Sequence, residues 1–170
     1  IHDQPEVRLR RAVDDHIDFV ARMLRHLGVR ERDVDDAVQQ VFMALSTRLA
    51  DIELGHEQRF LYGAARNIAK HAWRARAKEL ELGSELEIVD PGPSPHELIE
   101  EQQRLATFHR IVDRLPSRLR EVFLLAEVEE LSAPSIAAML NVPQGTVASR
   151  LRRAREAFAI AARAVLEVQS

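Results

Sequence analysis

Between Gly83 and Pro95 the chain reads GSELEIVDPGPSP, with Pro91, Gly92, Pro93 and Pro95 close together and no helical or strand period. Proline fixes φ and lacks the backbone donor that a helix or sheet requires, so regular structure does not run through such a stretch. It reads as a linker whose charges, Glu85, Glu87 and Asp90, are all negative. On either side apolar residues recur at helical spacing, and no strand pattern, repeat or low-complexity tract appears. The expectation is an all-α chain: two small helical domains, residues 1–82 and 96–170, joined by a flexible linker at 83–95, with a helix-turn-helix in the second.

The helix-turn-helix is read from Leu131–Arg155, LSAPSIAAMLNVPQGTVASRLRRAR. Ser132 can cap a first helix, Pro134 is tolerated in its first turn, and Ile136, Met139 and Leu140 make an apolar face. Asn141-Val142-Pro143 stops that helix, and Pro143 suits the first position of the next. There Val147, Leu151, Ala154 and Phe158 form a buried stripe, while Thr146, Ser149, Arg150 and Arg153 fall opposite, with Arg152 and Arg155 beside them. A helix with one apolar side for docking, small hydroxyls for close approach and guanidiniums for guanine edges and phosphates suits the DNA major groove. A basic amphipathic helix alone is more often a solvated face; the capped helix and proline turn ahead of it favour DNA binding. Upstream, a helix is expected from about His96 to Arg114, ended by Leu115-Pro116, and another from Ser117.

In the first half, Val13, Ile17, Val20, Ala21 and Leu24 suggest a helical stripe over about Pro5–Leu27, closed by Gly28. Asp33 can cap a second helix whose inner face is Val34, Ala37, Val38, Val41, Phe42 and Leu45. A third is expected from about Gln58 to Leu80. Its centre carries Arg66, Lys70, Arg74, Arg76 and Lys78 with no acid before Glu79, and Tyr62, His71 and Trp73 lie among them. Cations that hold a backbone and rings that stack on bases suit single-stranded nucleic acid. Phe60, Leu61, Ile68 and Trp73 also fit a plain core, which is the reading for most of the aromatics, though not for the basic run.

A net charge of −3 over 170 residues means that any nucleic-acid binding must come from local segregation of charge. Cysteine is absent, which excludes disulfides, thiol catalysis and Cys-based metal sites. His16 and His26 have no ligand-spaced partner, and no phosphate-cradling Gly loop or nucleophile–base pair appears, so no enzyme, metal, cofactor or small-molecule substrate is expected. No run approaches membrane-spanning length and no signal peptide opens the chain, so the default is a cytoplasmic protein without membrane insertion. The sequence begins at Ile1 rather than Met, which leaves room for a preceding segment.

Three motifs in order give the chain a family likeness. DVDDAVQQVF at Asp33–Phe42, LYGAARNIAKHAWR at Leu61–Arg74, and LPSRLREVFLL followed by GTVASRLRRAR resemble bacterial RNA polymerase sigma factors of the extracytoplasmic-function (ECF) group. The resemblance covers nearly the whole chain, and the order, spacing and joining of the motifs make it specific. It implies a factor that binds polymerase core, directs it to promoters and helps melt the −10 element. By that likeness Asp36, Gln39, Gln40 and Phe42 would meet core polymerase at the β′ clamp helices, with the β flap a further contact. Arg66, Asn67, Lys70, His71 and Arg74 would engage melted −10 DNA, and Thr146, Ser149, Arg150, Arg152 and Arg153 the −35 duplex. The likeness also leaves room for an anti-sigma partner that holds the protein at the membrane. Ala133-Pro134-Ser135-Ile136-Ala137, Ala148 and Ala44-Leu45-Ser46 depart from the usual pattern and bear on the promoter sequence. The alternative is a helix-turn-helix regulator that acts on a palindrome without polymerase core.

Overall fold

A computed structural model describes residues 5–81 and 96–167, and the linker expected at 83–95 lies outside them. Among the described residues every regular element is helical: α1 Pro5–His26, α2 Glu31–Arg48, α3 Glu57–Glu81, α4 His96–Val112, α5 Ser117–Phe123, α6 Ala133–Leu140 and α7 Gln144–Glu167. A 3₁₀ turn at Leu49–Asp51 follows α2, and a π turn at Leu124–Val128 follows α5. The chain divides into two compact units, Ile1–Leu86 and Glu87–Ser170.

In the first unit α1, α2 and α3 pack on one another around Val20, Met23, Leu24, Val34, Val41, Leu45 and Leu61, each at most 1% exposed. Full burial of one such side chain is worth roughly 1.5–3 kcal/mol. The buried stripe of α1 is Ala12, Phe19, Val20, Met23 and Leu24, whereas Ile17 is 41% exposed. The expected stripe through Val13, Ile17 and Ala21 is therefore turned: Phe19 and Met23, on the neighbouring ridge, have more area to bury. Gly28 ends α1 as expected, at φ +89°, with Gly28 N–H donating to Arg25 O (3.0 Å) and Val29 N–H to Leu24 O (3.0 Å). Across this turn the Arg25 guanidinium grips both carboxylate oxygens of Glu31.

Asp33 does not cap α2. The helix starts two residues earlier, its N-cap Arg30 makes no side-chain cap bond, and Asp33 sits in the first turn, where Arg30 Nε donates to its carboxylate at 2.9 Å. A carboxylate there is favoured by the helix dipole, which serves the purpose a cap would. The α2–α3 connection is tied to α1 by Arg8, whose guanidinium donates to Glu57 Oε1 (2.7 Å), Leu49 O (3.0 Å) and Ile52 O (2.7 Å).

In the second unit α5 and α7 form the main contact, with α4 and α6 also against α7. Phe123 stacks on Phe158 at 4.7 Å, and Phe108 lies 6.1 Å from Phe158. Val122, Leu124, Leu125, Ile136, Val147 and Ala154 are at most 2% exposed and make the core. Ser117 opens α5 but does not cap it; Pro116 is the N-cap residue.

Candidate nucleic-acid interface

The helix-turn-helix forms as its residues require. Ser132 caps α6 by accepting from Ser135 N–H at 3.3 Å, and Pro134 lies in the first turn. Asn141 ends α6 in the left-handed region (φ +53°), a conformation its short amide tolerates, and Val142 N–H closes the turn on Ala137 O at 3.0 Å. Pro143 stands one residue before α7 rather than inside it, and its carbonyl accepts from Thr146 N–H (2.9 Å) and Val147 N–H (3.2 Å). The expected stripe is the seat of α7: Val147 and Ala154 are fully buried, and Leu151 and Phe158 are half-buried.

The opposite face of α7 is unequal. Ser149, Arg152 and Arg153 are exposed, while Thr146 and Arg150 are half-buried. Ser149 Oγ donates to Thr146 O (3.0 Å), so its hydroxyl proton is used within the helix and its lone pairs remain. Arg152 is paired with Glu156 at 2.8 Å and Arg155 with Glu127 at 2.8 Å. Arg150 and Arg153 make no ion pair among the described residues. These two guanidiniums are the ones that can take a phosphate or a guanine edge without first giving up a carboxylate.

The first unit presents two further polar surfaces. On α2, Asp36, Gln39 and Gln40 are exposed and Phe42 is half-buried, next to Met43 at 60% exposure. The spacing marks Phe42 as part core, part surface; Met43 had no signal beyond being apolar on a polar side. On α3, Arg66, Asn67, Lys70, His71 and Arg74 are all exposed. The Asn67 amide makes no hydrogen bond among the described residues, so its donors and acceptor are open to a ligand.

The aromatics divide. Tyr62 is 2% exposed and belongs to the core, which corrects its reading as a ring available to bases: it sits in α3 where the helix still crosses α1 and α2. Trp73 is 55% exposed, with its indole N–H donating to Leu27 O at 3.2 Å. Asp33, Asp36, Gln40, His71 and Trp73 line one open cleft of about 460 Å³, so part of each expected surface of this unit meets at a shared boundary. No group of three or more His, Asp or Glu among the described residues could hold a metal ion, and no helix among them is long and apolar enough to cross a membrane.

A seated, basic second helix in a helix-turn-helix, together with a three-helix unit bearing an exposed cationic face, defines a two-unit helical DNA-binding protein. The family model for Sigma-70, region 4 matches residues 105–158, which include that helix-turn-helix. The ECF RNA polymerase sigma-E factor of Escherichia coli K12 is 32% identical over 141 residues, covering 74% of this chain and 72% of that protein. The ECF RNA polymerase sigma factor SigE of Mycolicibacterium smegmatis is 26% identical over 148 residues, which is 85% of this chain but only 57% of that longer protein. The sigma factor RpoE of Bartonella quintana, solved in complex with the anti-sigma factor NepR, shares the fold at a TM-score of 0.69 and 21% identity, covering 95% of this chain and 98% of that one. The chain belongs to the ECF RNA polymerase sigma factors. Its activity is that of the class, promoter-specific transcription initiation with RNA polymerase, and a regulator acting without polymerase is not favoured.

Proposed function

We propose that the two units divide promoter recognition between them. Residues 1–82 bind core polymerase through Asp36, Gln39, Gln40 and Phe42, against the clamp helices of β′, and capture the melted −10 strand with Arg66, Asn67, Lys70, His71 and Arg74. Residues 96–170 read the −35 duplex with Thr146, Ser149, Arg150, Arg152 and Arg153 on α7 and meet the β flap, with residues 83–95 as the tether. The protein works in the cytoplasm, without cofactor or catalysis of its own. An anti-sigma partner belongs to the same reading, as B. quintana RpoE was solved with one; a partner anchored in the membrane would hold the protein there.

The observation that carries the reading is the pair of chemically different surfaces on the first unit. An exposed carboxylate–amide face on α2 and an exposed cationic face on α3 stand on helices that bury the same core, and Asp36 and Gln40 of the one and His71 of the other line one cleft. A regulator with only a duplex to read has use for the second unit's α7 and for neither of these. A protein that must bind a large partner and also hold a single strand needs both. Run-off transcription with purified polymerase core, with and without this protein, tests it: a promoter-specific product only when both are present is expected. Dimeric binding to a palindrome with no polymerase-dependent product would overturn it.

A further inference from the structure

Beyond Ala69, helix α3 leaves its own hydrophobic core. Ala65 and Ala69 are buried, but every described side chain from Lys70 to Ala75 is exposed. Along this part of α3, Arg66, Lys70, Arg74 and Lys78 follow at successive spacings of four, which stacks like charges on one ridge. A helix end with few buried contacts and mutual repulsion is the kind that opens locally.

Trp73 supplies a support at this point. Its N–H donates to Leu27 O, and its ring lies so near Gly28 that a Cβ there would meet the indole nitrogen at 2.6 Å. Gly28 also has φ +89°, so a side chain at this position is opposed both by the backbone and by the indole. Leu27 and Gly28 belong to the α1–α2 turn, which is fixed by its own backbone bonds and by Arg25 on Glu31. The loose end of α3 is thereby tied to a turn that has backbone hydrogen bonds of its own.

We propose that Trp73 is a positioning residue for strand capture: its indole, seated on Gly28 and bonded to Leu27 O, fixes the Lys70–Arg74 ridge against the α1–α2 turn. The proposal rests on the assignment of that ridge to the melted strand. Trp73 acts through Lys70 and Arg74 and needs no base contact of its own. A ridge already held in place loses less freedom when a strand is laid along it, so the gain appears as affinity for the open form.

The test uses holoenzyme assembled from the full chain and polymerase core, on a pre-melted promoter fork. Trp73→Ala should weaken fork binding about tenfold and Trp73→Phe, which keeps a ring over Gly28, about threefold, with affinity for core within about twofold of the parent. In a Lys70→Ala/Arg74→Ala background, Trp73→Ala should add less than about twofold, because the groups it positions are gone. Amide exchange over residues 70–75 should quicken in both Trp73 variants. An equal loss from Trp73→Ala in the two backgrounds would mean direct contact with the strand and overturn the proposal. An unaffected Trp73→Ala beside a weakened Lys70→Ala/Arg74→Ala would also overturn it while leaving the ridge assignment standing. If the two cations themselves prove irrelevant to fork binding, both the proposal and that assignment fall.

Discussion

Replacing Arg8 by Ala should unfold the first unit far more easily than loss of a surface ion pair would. The side chains of Arg8 and Glu57 are only 16% and 11% exposed, and the guanidinium serves one carboxylate and two carbonyls. Its removal leaves a nearly buried carboxylate without a counter-ion and Ile52 O without its guanidinium donor, while Leu49 O keeps only the long bond from Ile52 N–H at 3.3 Å. Breaking a buried pair costs roughly 3–5 kcal/mol, and slight access to solvent puts this case near the lower end, about 3 kcal/mol. With a urea slope of roughly 1 kcal/mol per molar for so small a unit, the midpoint should fall by about 3 M. Trp73 is the chain's single tryptophan and lies in this unit, so its fluorescence reports the transition separately from the second unit. The effect should shrink in acid. Burial pushes the Glu57 carboxyl up, but its own backbone N–H and the Arg8 guanidinium outweigh this and hold it below the usual range. A carboxyl lowered in the folded state contributes stability that is present above its unfolded value and is lost as pH falls through its folded value. A midpoint shift under about 0.5 M near neutral pH would place Arg8 and Glu57 among exposed pairs, which are worth about 0–1 kcal/mol, and refute the argument.

Three further outcomes test the proposed surfaces. Gln39→Ala with Asp36→Arg should weaken core-polymerase binding while the melting temperature stays nearly unchanged; parallel loss of both would make this face structural. Arg153→Ala should cost about 1–3 kcal/mol at one −35 base if the guanidinium reads a guanine edge, or weaken all sequences alike and flatten the salt dependence if it holds a phosphate. Binding unchanged in both respects would rule that face of α7 out. Asn67→Ala should leave polymerase and −35 binding intact yet reduce strand opening, read as lower permanganate reactivity of −10 thymines; full reactivity in the variant would remove Asn67 from the site.

The helices were legible because this chain's apolar spacing is regular and its stops are chemical: Gly28, Asn141 and the Ser132 cap each do what their backbone or side chain allows. Which ridge of α1 turns inward was not. Val13, Ile17 and Ala21 fit the period as well as Ala12, Phe19 and Met23 do, and the choice depends on what α2 and α3 offer across the interface. Exposure of Arg66, Lys70, Arg74 and Lys78 on α3 followed from their type; the burial of Tyr62 on the same helix did not, since an aromatic next to a basic run fits either side of a helix. The pairing of Arg152 with Glu156 was open to the i, i+4 rule, but Arg155 with Glu127 was not, because those residues lie 28 apart in the chain and meet only in the folded unit. The indole brace on Gly28 had half a signal: the glycine marked a helix end, and nothing in the chain announced that a ring from residue 73 would occupy the space its missing Cβ leaves.

The four-residue spacing of Arg66, Lys70, Arg74 and Lys78 gives dissolved ions two opposed roles. In the unbound protein each neighbouring pair repels by roughly 0.2–0.5 kcal/mol at low ionic strength, and added salt relieves that stress and firms the end of α3. Against a polyanion the same salt competes for the same charges, lowering log affinity by roughly 0.7 per phosphate for each tenfold rise in concentration. Ionic strength therefore moves the order of this helix and the strength of its grip in contrary directions, and measurements of the two on one sample should cross as salt is raised.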